Sequence, residues 1–482
     1  MMKYILFLSC LLIGSLQYIW AQSSRLNQYI QFGIFDDDCI PSEEYRTRRA
    51  TAMSLMDSGS VAIFRANDFD NRNGDIDYEF RQNDNFLYLT GCNESNSTLI
   101  LIPHGFQIDS SRFVTEMLFI NERVKSWAGD RLGIEGAKEV LGFGLNSSAV
   151  LANDKLKEII PSILKSVKVL YYTPSLLEIA FDPISEKKFI STREVKKGLE
   201  EKYAGLTVKS AGIIINDLRV VKSQTELVYL QKAIDATVTG FIEAAKSCEP
   251  EMFEYQLQAA IEYCFINMGC EYQGFPSIIG SGSNTLSYHY ESNRRQMKQG
   301  DLVVIDIGAE YHGYSADVSR TIPVSGTFTS EQRSIYEIVL NAQTEAIKEI
   351  KPGAMMNAPS KRAMDVLGEG LVKIGIIQNK EDTKIYCPHG VSHFIGLGAH
   401  DVGSRGKLVP GMVLTMEPGL YILDSSQCEK KYKGIGIRIE DDILVTESGP
   451  KVLSERAPKT VSDIEKLMKL KGIGNIEIGK SK

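Results

Sequence analysis

Residues 387 to 401, CPHGVSHFIGLGAHD, carry His389, His393 and His400, three of the six histidines in a chain of 482 residues. Imidazoles this concentrated suit metal ligation, proton transfer or hydrogen bonding to a substrate. His389 is followed by glycine rather than glutamate, and Gly390, Gly396 and Gly398 weaken any regular helix, so the stretch is predicted to be a strand and loop presenting side chains rather than a zinc-binding helix. Four acids stand where a core is expected. Asp306 interrupts the apolar run DLVVIDIG, and Asp317 falls on the return strand of the same predicted hairpin, eleven residues later. Glu417 ends the apolar strand of GMVLTMEPGLYI, just before Pro418. Glu440 lies in GIGIRIEDDILV, whose period of two puts Ile435, Ile437 and Ile439 on one face and Gly436, Arg438, Glu440 and Asp442 on the other. An ionised carboxylate in such a place costs several kcal/mol unless something compensates it. One alone reads as a solvated strand end or an ion-pair partner. Four together with a histidine cluster point to a hard divalent cation such as Mn²⁺, held by oxygens and one imidazole.

Other reactive residues carry less. Cys387, two positions before His389, is a poor candidate nucleophile, because nucleophile and base usually meet through the fold. His104 and His312 are isolated and read as structural. The eight cysteines show no paired metal-binding spacing and no dense disulfide framework, so most are expected to be buried thiols. A net charge of −7 with scattered lysines and arginines argues against nucleic acid as a partner.

The elements needed to position the acids are legible in outline. The N-terminus, MMKYILFLSCLLIGSLQYIWAQSS, has the lysine, apolar stretch and small-residue site of a secretory leader, with cleavage expected after Ala21 and export as its consequence. An uncleaved anchor is the alternative, since Tyr4 to Ala21 approaches the ~20 residues a spanning helix needs. No stable membrane span is expected once the leader is removed. A helix over 42–56, strands at 60–66, 98–103 and 167–172, and a helix over 153–164 predict a mixed α/β domain. It closes with a charged helix in 185–203. Ser223 and Glu226 have capping-box spacing, and Leu227, Leu230, Ile234, Val238 and Phe241 follow one helical face, which marks the opening of a second domain. From about residue 270 short strands and glycine turns are expected, with a loose surface helix after 455.

In order and spacing, DLVVIDIGAEYHGYSADVSRTIP, HGVSHFIGLGAHD, MVLTMEPGLY and GIGIRIEDDILVTESG resemble the catalytic domain of the proline-specific metallopeptidases, and most of all the aminopeptidase P (Xaa-Pro aminopeptidase) family. Upstream, FRQNDNFLYLTGCNESNSTLILIP resembles that family's N-terminal domain. Ala399, where a β-branched residue is expected, and Cys92, where an aromatic is common, depart from the pattern without touching a proposed ligand. After the leader over 1–21, the resemblance implies an α/β (α+β) architecture: a smaller α/β domain over 22–205, a pita-bread catalytic domain over 206–455 and a tail over 456–482. It implies two divalent ions, with Asp306 binding one, Asp317 and Glu440 bridging both, and His393 and Glu417 completing the second site. The resemblance also makes Glu417 the proton acceptor from an attacking water, and places His389 and His400 on the substrate or the developing oxyanion. His289, in SGSNTLSYHYESN, matches a further active-site histidine, and Arg438 can orient Glu440 from the same strand face or serve structure alone. Trp127 resembles a residue that approaches a neighbouring subunit's site, which implies a homo-oligomer, while core packing is its other reading.

The reaction so implied releases the N-terminal residue of peptides with proline second. The bond before proline is a tertiary amide without N–H and with constrained geometry, so peptidases that depend on that donor are excluded. Prolidase, which cuts only Xaa-Pro dipeptides, is the alternative within the same chemistry. A methionine aminopeptidase fits poorly with so long an N-terminal domain. A metal-free relative such as creatinase, or a binding module on the same fold, fits poorly with a retained ligand set.

Overall fold

A computed structural model describes residues 38–122, 132–140, 144–146, 149–172, 179–180, 188–189, 192–403 and 406–475. The expected leader and Trp127 lie outside the described residues. The chain divides into two compact units, 1–218 and 219–482.

The first unit is built on a six-stranded mixed sheet. Its strands are β1 (Ser60–Arg65), β2 (Thr98–Asp109), β3 (Arg112–Ile120), β4 (Val150–Ala152), β5 (Val169–Tyr172) and β6 (Thr207–Lys209), in the spatial order β6-β5-β1-β2-β3-β4. The β1–β2 and β2–β3 pairs are antiparallel, and the others parallel. Val61, Ile63, Ile100, Ile102, Met117 and Phe119 alternate onto one face and pack with Ile163 and Leu164 of the helix Leu156–Ser166. The opposite face is buried as well, so these strands read as continuous apolar runs. On helix α1 (Ser42–Ser54), the fully buried Arg49 is neutralised by Glu116 at 2.8 Å and donates to Leu89 O at 2.9 Å. Strand β6 pairs with β5 and so belongs to the sheet of this first unit, which runs to residue 218.

In the second unit, helix α2 (Gln224–Ser247) starts at the expected capping box. Glu226 N donates to Ser223 Oγ at 3.2 Å, and Ser223 N donates to Glu226 Oε2 at 2.9 Å. Leu230, Ile234, Val238 and Phe241 are buried along its face. Helix α3 (Glu254–Asn267) packs on it. Strands β7 (Ile278–Ser281), β8 (Leu302–Ile307) and β9 (Val318–Pro323) form an antiparallel sheet. Strand β10 (Val413–Met416) pairs with β13 (Asp441–Thr446), and β11 (Gly419–Ile422) with β12 (Ile435–Arg438). The stretch beyond 270 is not strand alone: α4 (Ser330–Ile347) and α5 (Ala358–Lys373) interrupt it, the first opened by a Thr329–Gln332 capping box that the strand-centred reading passed over.

The tail is also tighter than expected. Arg320 is fully buried and ion-paired to Asp441 at 2.7 Å, and it donates to Ala457 O at 3.0 Å and Pro458 O at 3.1 Å. Lys459 meets Asp441 from the other side, and Ile464 of the helix Val461–Leu467 is fully buried. Among the described residues no helix is long and apolar enough to cross a membrane. Ending the chain after residue 455 removes two acceptors from Arg320, each about 1–3 kcal/mol, out of a total stability on the order of 5–15 kcal/mol. Such a truncation is predicted to move the unfolding transition of the second unit to lower denaturant in a titration, whereas a loose tail would leave its midpoint unchanged.

Candidate active site

The hairpin of β8 and β9 delivers the first two acids. Its register opposes Asp306 to Ser319 and Ile307 to Val318, so Asp317 stands one residue beyond the last pair. Gly308 is required at this corner, since a Cβ there would lie 1.9 Å from Ala316 O. The other two acids occupy strand breaks. Glu417 separates β10 from β11. Glu440 separates β12 from β13, so the predicted continuous strand over 434–445 is instead two strands serving two sheets. The break leaves Glu440 N free to donate to Ser319 O at 2.9 Å, which ties Glu440 to the hairpin.

The histidine segment runs antiparallel to β10 as an extended loop. Thr415 N donates to His393 O at 2.8 Å, Glu417 N to Val391 O at 3.0 Å, and His393 N to Thr415 Oγ1 at 3.2 Å. These bonds place His393 Nε2 at 3.4 Å from Glu417 Oε1, 3.5 Å from Asp317 Oδ2 and 4.0 Å from Glu440 Oε1. The ligand atoms form overlapping groups, His393–Glu417–Glu440, Asp306–Asp317–Glu440 and Asp317–His393–His400, each within 4.8 Å. Asp317 and Glu440 are 5% and 2% exposed. Asp306 Oδ1 and Glu440 Oε1 are buried without a hydrogen-bond donor. Acceptor oxygens left unsatisfied beside one imidazole are the donor set of a hard divalent cation, and the residues present fit one.

The remaining sequence-predicted residues surround this group. Arg438 does not reach Glu440 directly. Its Nη2 pairs with Asp306 Oδ2 at 2.6 Å, and its Nε donates at 3.0 Å to Ser319 Oγ, which donates to Glu440 Oε2 at 2.7 Å. The strand break after Arg438 turns Glu440 away and makes Ser319 the intermediary. Arg438 Nη1 also donates to Tyr421 OH at 2.8 Å. That leaves the tyrosine proton for His389 Nε2 at 3.1 Å, and His389 Nδ1–H then donates to Gly390 O at 2.8 Å. Both ring nitrogens of His389 are thus engaged. His289 and His400 are exposed, the second with its ring centroid 4.3 Å from that of His393.

Sequence reasoning passed over Ser319, Thr415 and Tyr421, whose hydroxyls carried no local signal. Asp442 shared the face of Glu440 but was given no role. It is fully buried, and its Oδ2 accepts from Asp317 N at 3.1 Å. Cys387 is buried and its thiol pushed up to about 11 by that burial, which removes it as a nucleophile.

Burial and mutual repulsion set the protonation of the metal-free site. Burial, then the neighbouring Asp306, pushes Glu440 up to about 8. Burial and Glu440 raise both Asp317 and Glu417 well above the carboxylate range. Burial, then His400, lowers His393 to about 4, so its imidazole is neutral at pH 7. Carboxylates with raised pKa hold protons at pH 7 that a cation must displace, while His393 has none to give. Divalent metal uptake at pH 7 is therefore predicted to release at least one proton per chain, and affinity should rise with pH towards about 8. Calorimetric titration in two buffers of different ionisation enthalpy checks this, and metal uptake without proton release would contradict it.

Family models match both units: "Aminopeptidase P, N-terminal domain" over residues 45–171 and "Metallopeptidase family M24" over 228–447. The chain is 34% identical to the Xaa-Pro aminopeptidase of Haemophilus influenzae over 444 residues and 35% identical to that of Escherichia coli over 442, covering 89% of this chain and 98% of each relative. Proline aminopeptidase P II from Yersinia pestis superimposes with a TM-score of 0.79 at 33% identity, covering 89% of this chain and 100% of that one. The expected N-terminal α/β domain and catalytic domain have their counterparts in these proteins, and the chain belongs to metallopeptidase family M24, among its Xaa-Pro aminopeptidases.

Proposed function

We propose that this chain is a dinuclear, Mn²⁺-dependent Xaa-Pro aminopeptidase that hydrolyses the bond before a proline in second position. The observation that carries the reading is the convergence of Asp306, Asp317, His393, Glu417 and Glu440 around unsatisfied buried oxygens. Asp306 would serve one ion, His393 and Glu417 the other, and Asp317 and Glu440 both. Bound there, the ions supply Lewis acidity and lower the pKa of water towards neutrality. The oxygen-rich donor set favours Mn²⁺; the E. coli aminopeptidase P is also known in a zinc-substituted form.

The protein's own groups do the rest. Glu417, in the break between β10 and β11 and grouped with His393 and Glu440, is placed to accept a proton from the attacking water and pass it to the leaving imino nitrogen of proline. Arg438 fixes Asp306 and, through Ser319, Glu440, so the ligand oxygens are set before substrate arrives. His400 and His289, exposed beside the site, are the imidazoles open to the substrate's polar groups. His389 is lowered by burial and so is neutral at pH 7; it steadies Tyr421 and lies 3.7 Å from Glu417 Oε2. Export directed by residues 1–21 and a homo-oligomer reached through Trp127 complete the proposal, supported by the leader-like composition and by the likeness of the Trp127 segment to its family counterpart.

Mass spectrometry of products from Ala-Pro and Ala-Pro-Ala, after loading with Mn²⁺, tests the reading. Alanine together with Pro-Ala is the expected result from the tripeptide. Cleavage of the dipeptide alone would make the chain a prolidase, and cleavage of neither would refute the catalytic reading. Glu417→Gln is predicted to lower kcat by about 10²–10⁴-fold, measured as the initial rate on the tripeptide, and a rate within twofold of wild type would remove Glu417 from the proton path.

A further inference from the structure

Glu254, the first residue of α3, is fully buried, and its carboxylate is the meeting point of one loop. Oε1 accepts from Ser281 N at 2.7 Å, Ser281 Oγ at 2.7 Å and Asn284 Nδ2 at 3.1 Å. Oε2 accepts from Tyr290 OH and from Arg295 N, both at 2.8 Å. All of these donors belong to residues 281–295; beyond Ser281, the last residue of β7, the one regular element of this stretch is the short 3-10 turn Gly282–Leu286. Past Ser281, whose pairing with Val303 ends the β7–β8 ladder, the acceptor-only carboxylate takes the ladder's place.

Other contacts make its ends rigid. Arg295 Nη1 donates to Ser281 Oγ at 2.8 Å and pairs with Asp301 at 2.6 Å. Gly282 has φ +56, and a Cβ there would lie 2.6 Å from Arg295 Nη2. Buried Asn293, at φ 50, accepts from Ile279 N at 3.0 Å and donates to Ser277 O at 2.7 Å. The middle of the loop is what reaches the active site. The Tyr288 ring centroid is 4.6 Å from that of Tyr421 and 5.5 Å from that of His389, and Tyr288 O accepts from Arg438 Nη2 at 3.4 Å. His289 follows directly, exposed between Tyr288, which these contacts hold, and Tyr290, which donates to Glu254.

We propose that Glu254 is a positioning residue for the peptidase: by gathering the donors of residues 281–295 it fixes where His289 stands at the active site. The inference rests on the functional reading above. It adds a residue that takes no part in metal ligation and is separated from the metal-binding acids in sequence and in contacts.

Glu254→Gln keeps the side-chain shape but turns an amide NH₂ towards groups that are themselves donors. With Mn²⁺-loaded full-length protein and Ala-Pro-Ala, it is expected to lower kcat/KM on the order of tenfold to a hundredfold, since small displacements of a positioned group carry losses of that size. Bound metal, measured by elemental analysis, should stay at the wild-type level. The discriminating readout is a double-mutant cycle: in a His289→Ala background the same substitution should cost less than about twofold, because its effect passes through that imidazole. Tyr290→Phe, which removes a single donor, gives a smaller loss that vanishes in the same background, and it serves if Glu254→Gln does not fold. Equal losses in both backgrounds, no loss from Glu254→Gln, or no loss from His289→Ala would overturn the proposal. Wild-type protein that cleaves no Xaa-Pro peptide would overturn the functional reading and this inference with it, whereas active wild type with additive variants would overturn this inference alone.

Discussion

Buried negative charge is the constraint on which the second unit is organised. Asp306, Asp317, Glu440 and Asp442 are all under 10% exposed, and Glu417 and His393 close the group. Carboxylates at these separations cannot all ionise in a dry site without cations. Protons compensate them in the metal-free protein, which is why Asp317, Glu417 and Glu440 all shift upward. Divalent ions compensate them in the working enzyme. The arrangement that is costly to fold is the one that gives the metals their affinity.

Strand geometry keeps that charge in place. Asp306 and Asp442 are held within paired strands, whereas Asp317, Glu417 and Glu440 sit where the backbone leaves a ladder and the side chain can turn inward. Glu417 and Glu440 occupy the two breaks, and Asp317 lies just past the β8–β9 pairing. The extended loop carrying His393 is hydrogen-bonded along β10, so the imidazole and Glu417 share one support. Arg438, Ser319 and Tyr421 then link acids, hydroxyls and His389 in one hydrogen-bonded chain, with the always-charged guanidinium at its centre. Orientation of the ligands is therefore a property of the fold, present before metal or substrate binds.

The convergent acids of the candidate site were legible because their types contradict their surroundings: a carboxylate inside an apolar run is visible in the sequence itself. The capping box at Ser223 was equally plain, since it is a local pattern with a local cause. What could not be read had causes at long range. Ser319 matters because β9 brings it beside Arg438 and Glu440, more than a hundred positions away in the chain. The tail looked loose because lysines dominate it, yet buried Arg320 draws its backbone carbonyls into the core. Periodicity over 434–445 suggested a single strand, and only pairing with two different partners divides it at Glu440. Glu254 carried no signal in the sequence, because its partners come from a loop 27 to 41 positions further on.

The central claim is that the buried acids exist to hold a pair of cations sharing Asp317 and Glu440. Metal stoichiometry tests it most directly: protein loaded with Mn²⁺ is dialysed against metal-free buffer and its bound metal is counted by plasma mass spectrometry, for wild type and for Asp317→Asn. The account predicts about two ions per chain in wild type, as a dinuclear site requires, and loss of both from the variant, because a bridging carboxylate serves each. One ion in wild type, or a variant that still holds two, would contradict it.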